Sequence, residues 1–270
     1  MNEPLNDEEG ARRTRRKGLY VLPNAISLAA LFAAFYGIVM AMNGRFEAAV
    51  LGIFCAAILD SLDGRVARMT HSQSAFGEQM DSLCDMVSFG AAPALIVYEW
   101  ALRDLGRWGW LPAFVYIAGA ALRLARFNTN IGIVDRRYFQ GLPSPAAAAL
   151  VMGLIWVADD AGLRGVTRID WLAWTAFGVT LYAGLSMVTN APFYSFKDVS
   201  FKRSVPFIVI VAIALAIAVI NIHPPTVLFA LFCAYGVSGY VVYAYKKSKG
   251  RPVSVIATST DDPDEAGLHR

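Results

Sequence analysis

Residues 60–85 read Asp60-Ser-Leu-Asp63-Gly64-Arg65-Val-Ala67-Arg68, then eight residues, then Gly77-Glu-Gln-Met-Asp81-Ser-Leu-Cys84-Asp85. At about 100° per residue, Asp60, Asp63, Gly64, Ala67 and Arg68 fall within roughly 140° of one helix face. Gly77, Asp81 and Asp85 recur at i, i+4, i+8 and form a stripe on the next helix. Two antiparallel helices joined by the polar turn Thr70–Ser74 would bring the four carboxylates together. Hard oxygen donors suit Mg²⁺ or Mn²⁺, and Mg²⁺ binds through a few carboxylates plus substrate phosphates. Gly64 and Ala67 remove bulk between the acids, so a ligand can approach the backbone. Arg68 offers a planar cationic fork for phosphate. The competing explanation is an interhelical salt-bridge network around Arg65 and Arg68, which would leave the small residues unexplained.

The surrounding chain makes this cluster expensive. It is 270 residues long, 56% hydrophobic and only 17% charged, with a mean hydropathy of +0.46. Soluble domains carry nearer 25% charge. An Asp at mid-bilayer costs roughly 2.5–3.5 kcal/mol, so four without partners would cost on the order of 10 kcal/mol. Bound cation is the natural offset. Apolar stretches recur near 19–42, 46–68, 76–100, 108–128, 144–159, 171–189, 205–221 and 225–245. Backbone polar groups in lipid need internal partners, so the expected fold is all-α: a polytopic membrane bundle of about eight helices.

With the N-terminus inside, 19 of the 24 Lys and Arg residues fall on inner segments, which predicts both ends and the Asp cluster on the cytoplasmic side of a bacterial-type inner membrane. The run Arg12–Lys17 precedes a stretch too long for a signal-peptide core. It reads as a basic arm touching anionic headgroups, or equally as a topogenic signal. Expected divisions are the arm (1–18), a membrane domain (19–190), a two-helix extension (191–249) and a disordered tail (250–270). Cys55, Cys84 and Cys233 lack paired spacing and read as small core residues. His71, His223 and His269 show no ligand spacing, and nothing points to nucleic acid.

The pattern D-x2-D-G-x2-A-R-x8-G-x3-D-x3-D resembles the signature of the CDP-alcohol phosphatidyltransferase family at every fixed position. The resemblance implies a six-helix catalytic core, a homodimer and two divalent ions held by Asp60, Asp63, Asp81 and Asp85. It implies Asp85 as base, and a CDP-diacylglycerol pocket shaped by Asn24, Ser27, Gly64, Ala67, Arg68, Ser74 and Gly77. Three of these have simpler readings. Asn24 and Ser27 follow Pro23 as a helix-start signal, and Ser74 suits the N-cap of the next helix.

Three segments resemble the phosphatidylserine synthase branch. They are Asp81–Ala94, the run Arg123-Leu-Ala-Arg126-Phe127-Asn128, and the run Phe139–Ala148, which includes Pro143-Ser144-Pro145. They imply L-serine as the acceptor. Ser88 and Phe89, about one turn past Asp85, and Arg123 and Arg126, at i, i+3, are candidate acceptor contacts. The signature itself is equally compatible with glycerol 3-phosphate, an inositol phosphate or choline. A cation-coupled transporter would also mark its path with intramembrane acids, but it predicts inverted repeats, and none is evident.

Overall fold

The computed structural model describes residues 5–70, 72, 74–129, 138–163, 170–195, 214–215 and 218–249. The tail 250–270, His71 and most of the seventh apolar stretch (205–221) lie outside them, as do the side chains of the basic arm. The described chain is nearly all helical.

Helices α1 (Leu5–Met42) and α2 (Phe46–Met69) form a hairpin. Its turn closes at Gly44, whose φ of 74° is left-handed, a region open to glycine without penalty. The two helices cross closely. A Cβ on Gly52 would stand 2.8 Å from the Ala33 carbonyl oxygen and 3.2 Å from the Gly37 Cα. After the turn comes α3 (Ala75–Asp85), then a π-helical segment (Met86–Ala91), then α4 (Ala92–Trp100). A 3₁₀ segment (Leu102–Trp108) leads into α5 (Trp110–Thr129). Then follow β1 (Tyr138–Gln140), α6 (Ser144–Asp160), α7 (Asp170–Val188), β2 (Pro192–Tyr194) and α8 (Pro224–Ser248).

Alanine and glycine let these helices pack densely. The core runs through Ala34, Ala49, Ile53, Phe89, Ile96, Tyr116, Ala120, Met152, Ile155 and Ala183. Helix α6 is buried along nearly its whole length. Large apolar side chains on α1, α2 and α3, among them Phe32, Phe35, Ile58 and Leu83, face outward. Such a surface suits lipid rather than water.

Among the described residues, four helical stretches are long and apolar enough to cross a membrane: Leu22–Met42, Ala75–Trp100, Trp171–Val188 and Pro224–Ser248. A fifth arises if the 3₁₀ segment and α5, bent by 98°, form one broken span. Helix α2 falls outside this set because it carries Glu47, Asp60, Asp63, Arg65 and Arg68, and α6 because it has 17 residues.

Several local expectations are corrected. Pro23 does not start a helix; it lies inside α1. The stretch 76–100 is not uniformly α-helical, because the π segment interrupts it directly after Asp85. The all-α expectation omitted an antiparallel two-stranded ribbon, in which Phe139 pairs with Phe193. Gly141, at φ 78°, ends the first strand and lets the chain pass close to the Met187 carbonyl. Cys55 is exposed rather than core, whereas Cys84 is buried.

Candidate active site

The α2–α3 hairpin assembles the acids. Thr70 closes α2, its Oγ1 donating to the Val66 carbonyl at 2.8 Å. Ser74 has extended backbone (φ −143°, ψ 150°), and its Oγ accepts from the Gly77 N–H at 3.0 Å, which starts α3. Across this short turn, Asp60, Asp63 and Asp81 each offer a carboxylate oxygen, and all three oxygens lie within 4.8 Å of one another. Asp85, one turn beyond Asp81, lies outside that triad but within electrostatic reach of Asp60 and Asp81. Among the described residues, neither Arg65 nor Arg68 forms an ion pair with these acids. The salt-bridge explanation therefore fails. Three carboxyls this close repel one another when ionised, and their donor set fits a hard divalent ion.

Helix α1 supplies the third wall. Ser27, buried, donates to Asp63 Oδ2 at 2.6 Å, with the Pro23 carbonyl 3.2 Å away as a second acceptor. Its hydroxyl holds one carboxylate oxygen and so orients the other. A Cβ on Gly77 would come within 3.3 Å of Asn24 Oδ1 and 3.2 Å of Ser74 Oγ, so α1 and the turn meet at that glycine. Nothing lies within 4 Å of a Cβ built on Gly64. Packing therefore does not require that glycine.

Gly64 lines a cavity of about 180 Å³. All seven residues expected around the nucleotide line it: Asn24, Ser27, Gly64, Ala67, Arg68, Ser74 and Gly77. Asp63 and Asp81 line it too, so two members of the acid cluster open onto it. Sequence reasoning missed three lining residues, Pro23, Ser72 and Glu78. Ser72 is buried and its Oγ sits 2.6 Å from Thr70 Oγ1. Its place in the polar turn was the only available signal.

The expected acceptor residues do not line that cavity. Phe89 is fully buried in the core, and its carbonyl accepts from Tyr116 Oη at 3.0 Å. Ser88 is buried with no hydrogen-bond partner for its Oγ among the described residues. Arg123 and Arg126 do not act together. Arg123 donates to Ser144 Oγ at 2.9 Å, and Arg126 to Asn190 Oδ1 at 3.2 Å on an exposed surface. Ser82, between Asp81 and Asp85, joins α3 to α5 through Asn128 Nδ2 at 3.1 Å.

Fold and site together define an integral membrane helix bundle whose carboxylate cluster can hold a divalent ion at the edge of a polar cavity. The sequence model of the CDP-alcohol phosphatidyltransferase family matches residues 20–185, and the chain belongs to that family. A CDP-diacylglycerol–serine O-phosphatidyltransferase of Helicobacter pylori is 33% identical over 229 residues, covering 84% of this chain and 94% of its own. One from Mycobacterium leprae is 31% identical over 231 residues, 83% of this chain and 75% of its own. An archaetidylserine synthase of Methanothermobacter thermautotrophicus is 36% identical over 132 residues, 48% of this chain and 55% of its own.

Proposed function

We propose that the chain is a phosphatidylserine synthase, transferring the phosphatidyl group of CDP-diacylglycerol to the hydroxyl of L-serine and releasing CMP. The observation that carries this reading is that Asp63 and Asp81 belong both to the acid cluster and to the cavity wall. A diphosphate in the cavity therefore lies against the carboxylates. Relatives named for the serine reaction, matched over most of the chain, support the acceptor.

Asn24, Ser27, Gly64, Ala67, Arg68, Ser74 and Gly77 receive the CDP moiety. The open side of Gly64 admits the nucleotide to the helix backbone, and Arg68 pairs with phosphate. Asp60, Asp63, Asp81 and Asp85 would hold one or two ions, Mg²⁺ or Mn²⁺, which when bound supply charge neutralisation for the diphosphate and the departing CMP. Ser27 fixes the Asp63 carboxylate through its 2.6 Å hydrogen bond. Asp85 orients the serine hydroxyl and takes its proton as the oxygen attacks the β-phosphorus and the bond to CMP breaks. Ser88, Arg123 and Arg126 belong to the acceptor side, and Phe89 backs it from the core. No covalent enzyme intermediate is needed.

The same reading has eight spans, with both termini and the site on the cytoplasmic face of a bacterial inner membrane, supported by the 19-to-5 distribution of basic residues. It also has the chain as a homodimer, with the family core at 19–190 and a two-helix extension at 191–249.

The test is acceptor-dependent CMP release by purified protein with CDP-diacylglycerol and Mg²⁺ or Mn²⁺. L-serine, glycerol 3-phosphate, inositol phosphate and choline are supplied in parallel. Release is expected with serine alone, abolished by EDTA and reduced by orders of magnitude in Asp85→Asn. Release with another acceptor instead refutes serine, and full turnover by Asp85→Asn removes the base.

A further inference from the structure

The candidate acids sit on two helices that are held very differently. Asp60 and Asp63 belong to α2, whose backbone meets α1 closely at Gly52 and whose Asp63 accepts from Ser27 at 2.6 Å. Asp81 and Asp85 belong to α3, which has 11 residues and turns Phe76 and Leu83 outward. The π segment separates α3 from the buried α4, so the packing of α4 reaches α3 only across that wider turn. The rotation of α3 about its axis therefore needs another anchor. Its carboxylates stand roughly 5 Å from the axis, so a turn of about 20° carries each through about 2 Å. Metal ligands tolerate shifts of only about 0.2 Å.

Ser82 supplies the anchor. It lies about 100° round the axis from Asp81 and about 60° from Asp85, on the flank opposite the buried Cys84. Its hydroxyl accepts from Asn128 Nδ2 at 3.1 Å and donates to Asn128 Oδ1 at 3.3 Å, so both polar atoms of one amide grip one hydroxyl. Asn128 stands near the end of α5, and α5 is seated tightly on α7. A Cβ on Gly184 would stand 2.8 Å from the Tyr116 Cα, and one on Gly119 would stand 2.3 Å from the Gly184 carbonyl oxygen. Neither Ser82 nor Asn128 lines the cavity.

We propose that Asn128 is a positioning residue for the acid cluster: through Ser82 it sets the rotation of α3, and so the distance of Asp81 and Asp85 from Asp60 and Asp63. This rests on the divalent-ion reading of the cluster above.

The test is Mn²⁺ binding by the full chain in detergent, without substrate, read from the electron-spin resonance of the free ion. Asn128→Ala and Ser82→Ala are each expected to weaken binding about tenfold, as when a group that orients a metal ligand is removed. The double variant is expected to bind no more weakly than either single one, because both changes remove the same bond. Thr129→Ala is the control: its hydroxyl donates to the Ala125 and Arg126 carbonyls of its own helix, so the same end of α5 is perturbed without touching α3. Unchanged binding is expected there. Serine-dependent CMP release by Asn128→Ala is expected to recover at raised Mn²⁺, which a collapsed fold would not allow. The proposal is overturned if Asn128→Ala binds Mn²⁺ as tightly as the unmodified chain, if the two losses add, if Thr129→Ala shows the same loss, or if raised Mn²⁺ restores no release. Absence of Mn²⁺ binding by the unmodified chain instead refutes the metal centre itself.

Discussion

Gly64 separates packing from ligand binding at a single residue. It lies inside α2 with nothing near its would-be Cβ, so alanine there meets no protein atom. Alanine is more favourable than glycine in a helix interior by roughly 0.5–1 kcal/mol. Gly64→Ala is therefore expected to keep or raise thermal stability in detergent while raising the KM for CDP-diacylglycerol several-fold. Unchanged KM would mean that the nucleotide does not use this face. Much of the site was legible in the chain at this scale, because carboxylates, glycines and arginine at helical spacing have few structural uses in an apolar protein. Ser72 was not: its burial depends on how the turn folds under α2. Nor was the separation of Arg123 from Arg126, since i, i+3 spacing sets a shared face but not the partners waiting on each side.

Among the elements, the α1–α2 crossing positions the site from a distance. Gly52 lets the two backbones approach, and the same hairpin holds Ser27 on Asp63. Gly52→Leu would drive its side chain into the Ala33 carbonyl and force the helices apart. Loss of both thermal stability and CMP release is expected, the opposite of the Gly64→Ala pattern; an active, stable Gly52→Leu protein would show that the crossing does not set the site. Helix positions were readable because hydrophobic length is written directly in composition. Breaks in helices were not. The π segment after Asp85 is accompanied by tertiary contacts, including Tyr116 Oη on the Phe89 carbonyl, and Gly90 alone does not announce it in the sequence. Pro23 carries such a signal but is accommodated inside α1, where it misled the reading of the helix start.

At the scale of the molecule, the acid cluster couples cation binding to stability. A ligand that binds only the folded form stabilises it by mass action, and here it would also relieve repulsion among the clustered carboxyls. Millimolar Mg²⁺ or Mn²⁺ is expected to raise the unfolding temperature of the detergent-solubilised chain, with EDTA reversing the rise and Asp63→Asn blunting it. Equal unfolding temperatures with and without cation would argue against a metal centre. The glycine crossing also bears on how the chain enters the bilayer during synthesis. Helix α2 carries Glu47, Asp60, Asp63, Arg65 and Arg68, so alone it partitions poorly into lipid. Helix α1 precedes α2 in the chain, is strongly apolar, and offers the Gly37 groove into which Gly52 fits. Helix α1 thus serves as a docking rail, along which the charged α2 is held until α3 arrives.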